Sequence, residues 1–342
     1  MDTQSWQRLI EQQPPERQAR LFETHISWVL LLGDFAYKVK KPVKFDFIDA
    51  RDLSTRKEFC EREIELNRRT APEMYLGVVP VYQAEGLPQL EQGPGEVVDY
   101  AVKMKRVDPS LQMDERLQQG QVTRRQVQQL AERVARFHRE AEVVYLGNDA
   151  DYLREEFDAL REAIPPLEEV WGADTGSQLQ AVIDTAAQHL QRYQGDFERR
   201  LRQGWVRDAH GDLHAGNIFL TDPPVVFDCI EFNPELRRID LLNEVAFMVL
   251  SFDFYQAEAL KRAFLASYLA DMPCLLPEDE PIWDFYLLLR ANIKLKVNAF
   301  KLAQSRDDQD QYQRQEQRCV RYFDLLRQYH ARICKWPEKS IN

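Results

Sequence analysis

The stretch HGDLHAGN (His210–Asn217) places two histidines, an aspartate and an asparagine close together, and VVFD (Val225–Asp228) follows it. Three kinds of chemistry are open to these residues. His210, Asp212 and His214 alternate along the chain, and such side chains could bind zinc or iron. Alternatively, these polar side chains have a purely structural role and hydrogen-bond the backbone of their own loop. The third possibility is phosphoryl transfer.

Phosphoryl transfer is indicated by the pattern D-x-x-x-x-N, in which the aspartate accepts a proton from the acceptor hydroxyl and the asparagine binds magnesium. Asp212 and Asn217 have this spacing, and Asp228 ends the next apolar stretch, where a second metal ligand is required. Carboxylate and amide oxygens are ligands that suit Mg²⁺. The pattern therefore favours Asp212 as the base, with Asn217 and Asp228 on the metal.

The composition excludes several other classes of protein. The chain has 342 residues and a net charge of -11, which opposes non-specific binding to nucleic acid. Its cysteines form no CxxC pair, which argues against a disulfide framework or a structural zinc site. The N-terminus MDTQSWQRLI lacks the pattern of a signal peptide, and no apolar run is long enough to span a membrane. We expect a cytoplasmic chain; the sequence does not determine its oligomeric state.

The order of predicted elements indicates an α+β fold with two lobes. The first third combines strands with one strong helix, and the remainder is mostly helical. The predicted elements of the first third are a hairpin around Gly33-Asp34, the helix Ser54–Arg69, opened by a Ser/Thr cap, and the strands Leu76–Tyr82 and Val97–Val107. We therefore predict a small β-rich N-lobe over 1–106 and a larger helical C-lobe over 107–342.

The two motifs also carry a family resemblance. Two stretches of the chain, which contain these motifs, resemble the catalytic and metal-binding segments of the aminoglycoside phosphotransferase and choline kinase-like superfamily: HGDLHAGNIFL and VVFDCIEFNPELRRIDLLNEVAF. Two stretches nearer the N-terminus resemble a bacterial subgroup of that superfamily: THISWVLLLGDFAYKVKKPVKFDF and CEREIELNRR. The resemblance covers nearly the whole chain. It implies a bilobal protein kinase-like fold that transfers the γ-phosphoryl group of Mg-ATP to a small-molecule hydroxyl. Some members carry an extra P-loop domain, but no GxxxxGK[ST] motif occurs here.

A kinase also needs a lysine on a strand, paired with a glutamate from the helix that follows. Lys38 and Lys40 lie on one face of the strand FAYKVKK. Glu63 shares the apolar face of its helix with Phe59 and Leu66 and has no cation four positions away, so it needs a tertiary partner. The resemblance selects Lys38 as the phosphate-binding lysine. Lys40 is the alternative, and a basic edge strand is another.

The remaining nucleotide contacts are less well defined by motif. No G-x-G-x-x-G loop precedes the strand, so the segment ETHIS (Glu23–Ser27) is the candidate to cover the phosphates. The strand VVDYAVKMKRV leads into the expected hinge, where Met104 would pack on the adenine and the backbone up to Arg106 would line it. A plain core strand explains this stretch equally well.

Four residues are predicted to support the catalytic loop. His210 and His214 lie within it. Asp240 and Glu244 resemble two acidic positions that brace this loop in the superfamily. Asp240 is equally well explained as the N-cap of the helix that begins at Leu241.

The acceptor is the least constrained part of the prediction. Glu231 could bind an amine of the substrate, whereas Arg237 and Arg238 could bind an anionic substrate. The alternative for the arginines is that they are ordinary surface charges. The acidic helices between 141 and 204 favour a cationic acceptor, such as an aminoglycoside or amino sugar, unless they form a solvated face. Two other functions stay open: a nucleotide-binding regulatory protein without turnover, and a kinase-fold protein that modifies other proteins.

Overall fold

The structure is a computed structural model that describes residues 1–45, 48–84, 86–145 and 150–336. Internal contacts divide the chain into two compact units. The sheet unit comprises Met1–Glu115 and Asn217–Leu236, and the helical unit comprises Arg116–Gly216 and Arg237–Asn342. This division differs from the predicted one at residue 106. One reason why Asn217–Leu236 belongs to the sheet unit is that Leu220 donates its N–H to the carbonyl of Leu111, at 2.8 Å.

The strands of the described chain are β1 (Arg20–Glu23), β2 (Ser27–Leu32), β3 (Phe35–Lys40), β4 (Lys44–Phe45), β5 (Ile48–Asp49), β6 (Tyr75–Ala84), β7 (Leu87–Leu90), β8 (Val97–Lys105), β9 (Val206–Asp208), β10 (Ile218–Phe219), β11 (Val225–Val226) and β12 (Arg238–Asp240). An antiparallel sheet in the order β1-β2-β3-β8-β6-β7 forms the centre of the sheet unit. Strand β10 pairs with β11, β4 with β5 and β12 with β9.

The helices are α1 (Thr3–Glu11), α2 (Leu53–Asn67), α3 (Met113–Gln118), α4 (Arg124–Glu140), α5 (Ala150–Asp158), α6 (Ile164–Trp171), α7 (Asp174–Arg202), α8 (Leu241–Phe254), α9 (Glu258–Asp271), α10 (Glu280–Gln304) and α11 (Gln309–Ile333). In the helical unit, α10 packs against α7, α8 and α11, and most residues of α8 are buried. Among the described residues, no helix combines the length and apolar character needed to cross a membrane.

The hairpin predicted around Gly33-Asp34 is confirmed. Strands β2 and β3 pair with Leu32 opposite Phe35, and Gly33 has a φ of +58°, a left-handed conformation that glycine adopts readily. The predicted Ser/Thr cap of α2 is wrong. Asp52 is the N-cap residue, because its backbone is still extended there (φ -81°, ψ 139°) and the helix starts at the next residue.

The alternation of β3 positions the candidate site. Tyr37 and Val39 enter an apolar cluster with Trp6 and Trp28 on one face of the sheet. On the other face, Ala36 packs with apolar residues of α2. Because side chains alternate along a strand, the two lysines of β3 also face α2.

Candidate active site

Lys38 lies between two carboxylates of the sheet unit. Its Nζ donates a hydrogen bond to Oε1 of Glu63 at 3.0 Å and also binds the carboxylate of Asp228. The Lys38 side chain is 12% exposed and that of Glu63 is fully buried. Burial opposes the charge on Lys38, but Asp228 and Glu63 outweigh it and raise its pKa well above the ordinary value. Lys38 is therefore held as a cation.

Lys40 extends this arrangement on the same face of β3. Its fully buried amine binds the other carboxylate oxygen of Glu63 and the carboxylate of Glu231. Glu63 is thus shared by both lysines, and the ion pairs form a continuous row from Asp228 to Glu231, which we call the lysine–carboxylate row. The prediction that Glu231 could meet a substrate amine is corrected, because this buried carboxylate is occupied by Lys40.

The backbone at Asp228 is in an uncommon conformation. Its φ of +66° lies in the left-handed region, which costs energy for a residue other than glycine and is often found at functional sites. The surrounding chain holds it there: the N–H of Asp228 donates to the hydroxyl of Tyr75 at 3.1 Å, and that of Cys229 to Oδ1 of Asn67 at 2.9 Å. The Asp228 side chain is 42% exposed, so it remains accessible.

Asn217 and Asp228 lie at the same end of the β10–β11 hairpin. Ile218 pairs with Val226, and the carbonyl of Asn217 accepts the N–H of Phe227 at 3.0 Å. An amide oxygen and an accessible carboxylate on neighbouring chain segments are a donor set that fits Mg²⁺, which prefers oxygen ligands and keeps several waters.

One predicted nucleotide contact is corrected. Met104 is only 5% exposed and packs in the apolar cluster with Cys60 and Ile64, so its side chain does not offer a surface to an adenine ring. The predicted contact between the Arg106 backbone and the adenine stays a prediction. The side chain of Arg106 binds the hairpin turn. Its Nη1 donates to the carbonyls of Gln18 and Gly33 at 3.2 and 3.3 Å. The alternative of a core strand is the better description of this stretch.

In the helical unit, both histidines of the motif orient the loop around Asp212. The N–H of Asp212 donates to Nδ1 of His210 at 3.3 Å, and that of Gly216 donates to Nδ1 of His214 at 3.0 Å. Because Nδ1 of His214 accepts a hydrogen bond, its proton lies on Nε2, which is 3.4 Å from Oδ2 of Asp212. Burial raises the pKa of Asp212, but His214 and Lys294 outweigh it and hold that pKa well below its usual range.

Glu244 and Arg290 hold Gly211, the residue before Asp212. Gly211 has a φ of +86° and donates its N–H to Oε2 of Glu244 at 2.9 Å, while Nη1 of Arg290 donates to its carbonyl at 3.5 Å. Burial raises the pKa of Glu244 to about 7, although Arg290 and the Gly211 N–H oppose the shift. Glu244 therefore contacts the loop that contains Asp212, and its role in supporting catalysis stays a prediction.

Asp240 and Arg237 have other partners. Asp240 caps α8 by accepting the N–H of Leu242 at 2.8 Å, and its two oxygens bind Arg200 at 2.7 and 2.8 Å. Its predicted contact with the catalytic loop is corrected, because this carboxylate is committed to the helix cap and to Arg200. Arg237 is 3% exposed and binds Asp208 at 3.0 Å, so its predicted contact with a substrate is also corrected.

The hypothesis that His210, Asp212 and His214 bind zinc or iron receives no support. Among the described residues, no group of three or more His, Cys, Asp or Glu side chains could hold a metal ion. Sequence analysis also missed two functional candidates, Arg290 and Lys294 of α10. Their spacing of four residues on one helix was a visible signal, but nothing in the sequence linked that helix to Asp212.

The family model described as "Phosphotransferase enzyme family" matches residues 45–277. The chain belongs to the phosphotransferase enzyme family. One curated relative of this chain is an uncharacterized protein of Mycobacterium tuberculosis (strain H37Rv), which is 31% identical over 291 residues and is matched over 84% of this chain and 56% of its own length. The chain thus spans a little over half the length of the curated relatives it matches.

Solved structures share the fold at low sequence identity. An amicoumacin kinase in complex with AMP-PNP and Ca²⁺ has a TM-score of 0.56 at 13% identity, covering 95% of this chain and 94% of that one. A choline/ethanolamine kinase family protein from Mesorhizobium loti has a TM-score of 0.51 at 12% identity, covering 97% and 99%. An aminoglycoside 2'-phosphotransferase in complex with GDP has a TM-score of 0.52 at 13% identity, covering 98% and 99%. The predicted α+β kinase-like fold is confirmed.

Proposed function

We propose that this member of the phosphotransferase enzyme family moves the γ-phosphoryl group of ATP to a hydroxyl group of a small molecule, with Mg²⁺ as the metal. The observation that carries the proposal is the Lys38 amine held between Glu63 and Asp228, since kinases pair a strand lysine with a helix glutamate and place a metal-binding aspartate beside it. The nucleotide analogue and divalent cation bound to the amicoumacin kinase support the choice of ATP and a divalent metal.

In the sheet unit, Lys38 would hold α- and β-phosphate oxygens, and Asn217 and Asp228 would hold the metal. When bound, Mg²⁺ neutralises charge on the phosphates. The positive charge of Lys38 is secured by its carboxylate partners, and Lys40 keeps Glu63 in place by binding its second oxygen. The strained backbone at Asp228 gives its carboxylate a defined direction before any ligand arrives.

Asp212 would receive the acceptor hydroxyl. The hydroxyl oxygen forms a bond to the γ-phosphorus, the bond from that phosphorus to the β–γ bridging oxygen breaks, and the hydroxyl proton passes to Asp212 as ADP leaves. The lowered pKa of Asp212 makes it a weak base. It therefore orients the hydroxyl first and accepts the proton late, which suits a loose transition state that depends on positioning.

Calorimetric titration of the protein with Mg-ATP tests the nucleotide site. We expect the wild type to bind and Asp228→Ala to lose binding, because that carboxylate would hold the metal. Glu73→Ala is the control, since the Glu73 side chain is 92% exposed and lies outside the lysine–carboxylate row. A folded wild type that does not bind, or an Asp228→Ala variant that binds equally well, would overturn the proposal.

Turnover separates the proposed function from its alternatives. Asp212→Asn is expected to keep Mg-ATP binding and to lose acceptor phosphorylation by ~100-fold or more. Asp151→Asn, which changes a carboxylate that is 77% exposed, is the matched control. No turnover by the wild type would indicate a regulatory nucleotide-binding protein, and label transferred to protein instead of to small molecules would indicate a protein acceptor.

A further inference from the structure

Helix α10 carries a row of basic side chains on one face. Arg290, Lys294 and Lys301 lie four and then seven residues apart, with Asn298 between them. Residues at these spacings share one side of an α-helix. Lys294 and Lys301 are half-buried, so a ligand could reach them although they are partly shielded from water.

Contacts within the helical unit connect this row to Asp212. The guanidinium of Arg290 and the amine of Lys294 lie 4.6 and 4.7 Å from the ring centroid of Phe247. The ring of His214 lies 5.1 Å from the same ring, and Nε2 of His214 is 3.4 Å from Oδ2 of Asp212. Lys294 therefore stands two side chains away from the proposed base.

Helix α11 adds Arg318 to the row. Its Nε donates to Oδ1 of Asn298 at 3.3 Å, and Nδ2 of Asn298 donates to the carbonyl of Lys294 at 2.7 Å. We call Lys294, Lys301 and Arg318 the cationic trio. Asn298 is buried, so it fixes the position of Arg318 relative to α10.

The charge of the cationic trio is not balanced within the described part of the chain, where none of the three forms an ion pair with a carboxylate. Burial and the neighbouring cations lower the pKa of Lys294 to about 8 against the opposing effect of Asp212. Burial and Arg318 lower the pKa of Lys301 in the same way, again opposed by Asp212. Three mutually repelling cations near one carboxylate favour the binding of an anion.

Two of the acidic residues that predicted a cationic acceptor are paired with other cations. Glu156 binds Lys296 at 3.2 Å, and Glu169 binds Arg306 at 2.5 Å. These two cations belong to α10 and the residues just after it. These two acids therefore neutralise other basic side chains, and among the described residues neither of them forms an ion pair with the cationic trio.

We propose, on the basis of the function proposed above, that the acceptor alcohol carries an anionic group, a phosphate or a carboxylate, which Lys294, Lys301 and Arg318 bind while Asp212 receives the hydroxyl. The anionic group would balance the trio and hold the alcohol in position. This substrate class is opposite in charge to an aminoglycoside.

Inorganic phosphate is the first probe, titrated by calorimetry into the full chain already saturated with Mg²⁺ and AMP-PNP. We expect Lys294→Met and Lys301→Met each to weaken phosphate binding ~10-fold or more, and Lys294→Arg to keep it. Lys296→Met is the matched control, because Lys296 is already paired with Glu156. The proposal is overturned by an absence of phosphate binding, by equal binding in all variants, or by a loss of AMP-PNP affinity in Lys294→Met.

Four related sugars then identify the class of acceptor: glucose 6-phosphate, glucuronate, glucose and glucosamine, compared by ADP release at saturating Mg-ATP. We expect glucose 6-phosphate or glucuronate to be the preferred acceptor. The KM for that acceptor should rise ~10-fold in Lys301→Met and should also rise with salt concentration. Preference for glucosamine would overturn the proposal; if none reacts, the phosphate titration decides. A wild type that does not bind Mg-AMP-PNP would instead refute the proposed function. The lysine variants could then still be compared with the wild type in their affinity for inorganic phosphate.

Discussion

At the scale of single residues, buried charge organises the sheet unit. Lys40 and Glu63 are fully buried, and removing charges from water costs several kcal/mol for each ion unless partners compensate. Both oxygens of Glu63 are bound, one by Lys38 and one by Lys40, so its carboxylate cannot rotate without breaking an ion pair. Lys40 and Glu231 therefore act as positioning residues for Lys38, although neither is proposed to touch the phosphates.

Replacing Lys40 should destabilise the fold strongly. Lys40→Met leaves Glu231 buried without its cation, and breaking such a pair costs ~3–5 kcal/mol in the free energy of unfolding. Urea denaturation measures this change. Lys57→Met is the control, because the exposed pair of Lys57 with Glu61 is worth no more than ~0.5 kcal/mol. Adding Glu231→Gln to Lys40→Met should restore part of the loss, and a Lys40→Met variant as stable as the wild type would contradict this account.

Glu244 should make stability depend on pH. Its pKa is about 7 in the folded chain against an ordinary value of 4.5, so between these values the folded chain keeps a proton that the unfolded chain has lost. The stability contributed by this proton is lost as the pH rises through about 7. Glu244→Gln cannot ionise, and it should gain about 3 kcal/mol relative to the wild type between about pH 5 and about pH 8. Unfolding curves at both pH values test this, and a difference that does not change with pH would contradict it.

At the scale of elements, α8 and α7 are joined through one carboxylate. Asp240 caps α8 and binds Arg200 of α7, and Arg200 also binds Asp279 at 2.8 Å. The buried guanidinium thus fixes where α8 begins, and Glu244 one turn later meets Gly211. The position of the loop around Asp212 therefore depends on this packing of helices.

The two roles of Asp240 can be separated by Asp240→Asn. Asparagine is as good an N-cap as aspartate, but it removes one of the two negative charges that balance Arg200. We expect a loss of ~2–4 kcal/mol in the free energy of unfolding, measured with urea. Asp308→Asn, at the N-cap of α11, is the matched control and should change stability by less than ~0.5 kcal/mol. Equal stability of the two variants would assign Asp240 to capping alone.

At the scale of the whole molecule, the proposed nucleotide site is assembled from distant parts of the sequence. Lys38 and Glu63 come from the first part of the chain, whereas Asn217 and Asp228 belong to a segment that rejoins the sheet unit after most of the helices. Binding of a ligand to such a site stabilises the folded state as a whole, because the unfolded chain does not bring these residues together.

Removal of the metal should therefore lower thermal stability. With Mg-ATP at ~100 times its Kd, ligand binding adds ~2.7 kcal/mol to the free energy of unfolding, and we expect Tm to rise by roughly 5 °C. Addition of EDTA in the presence of ATP should abolish most of this rise. Differential scanning calorimetry measures both. The Asp228→Ala variant should show no rise, whereas Glu73→Ala should behave as the wild type, and a rise insensitive to EDTA would argue against a metal in the site.

The sequence by itself determined the fold class and predicted which residues form the candidate site. Alternation along FAYKVKK put Lys38 and Lys40 on one face, the spacing of Asp212 and Asn217 indicated phosphoryl transfer, and the apolar face of α2 singled out Glu63. These features are local, because strand and helix periodicity and motif spacing depend only on neighbouring residues.

Only the tertiary structure decided which charges are neutralised. Glu231, Arg237 and Asp240 looked available along the sequence, but each is buried against a cation or a carboxylate from a distant segment. Conversely, Lys294 gave no sign of its place beside the Asp212 loop, which follows from the packing of α10 on α8. Periodicity shows which face of an element is buried, whereas the partner that meets a buried charge is set by long-range packing.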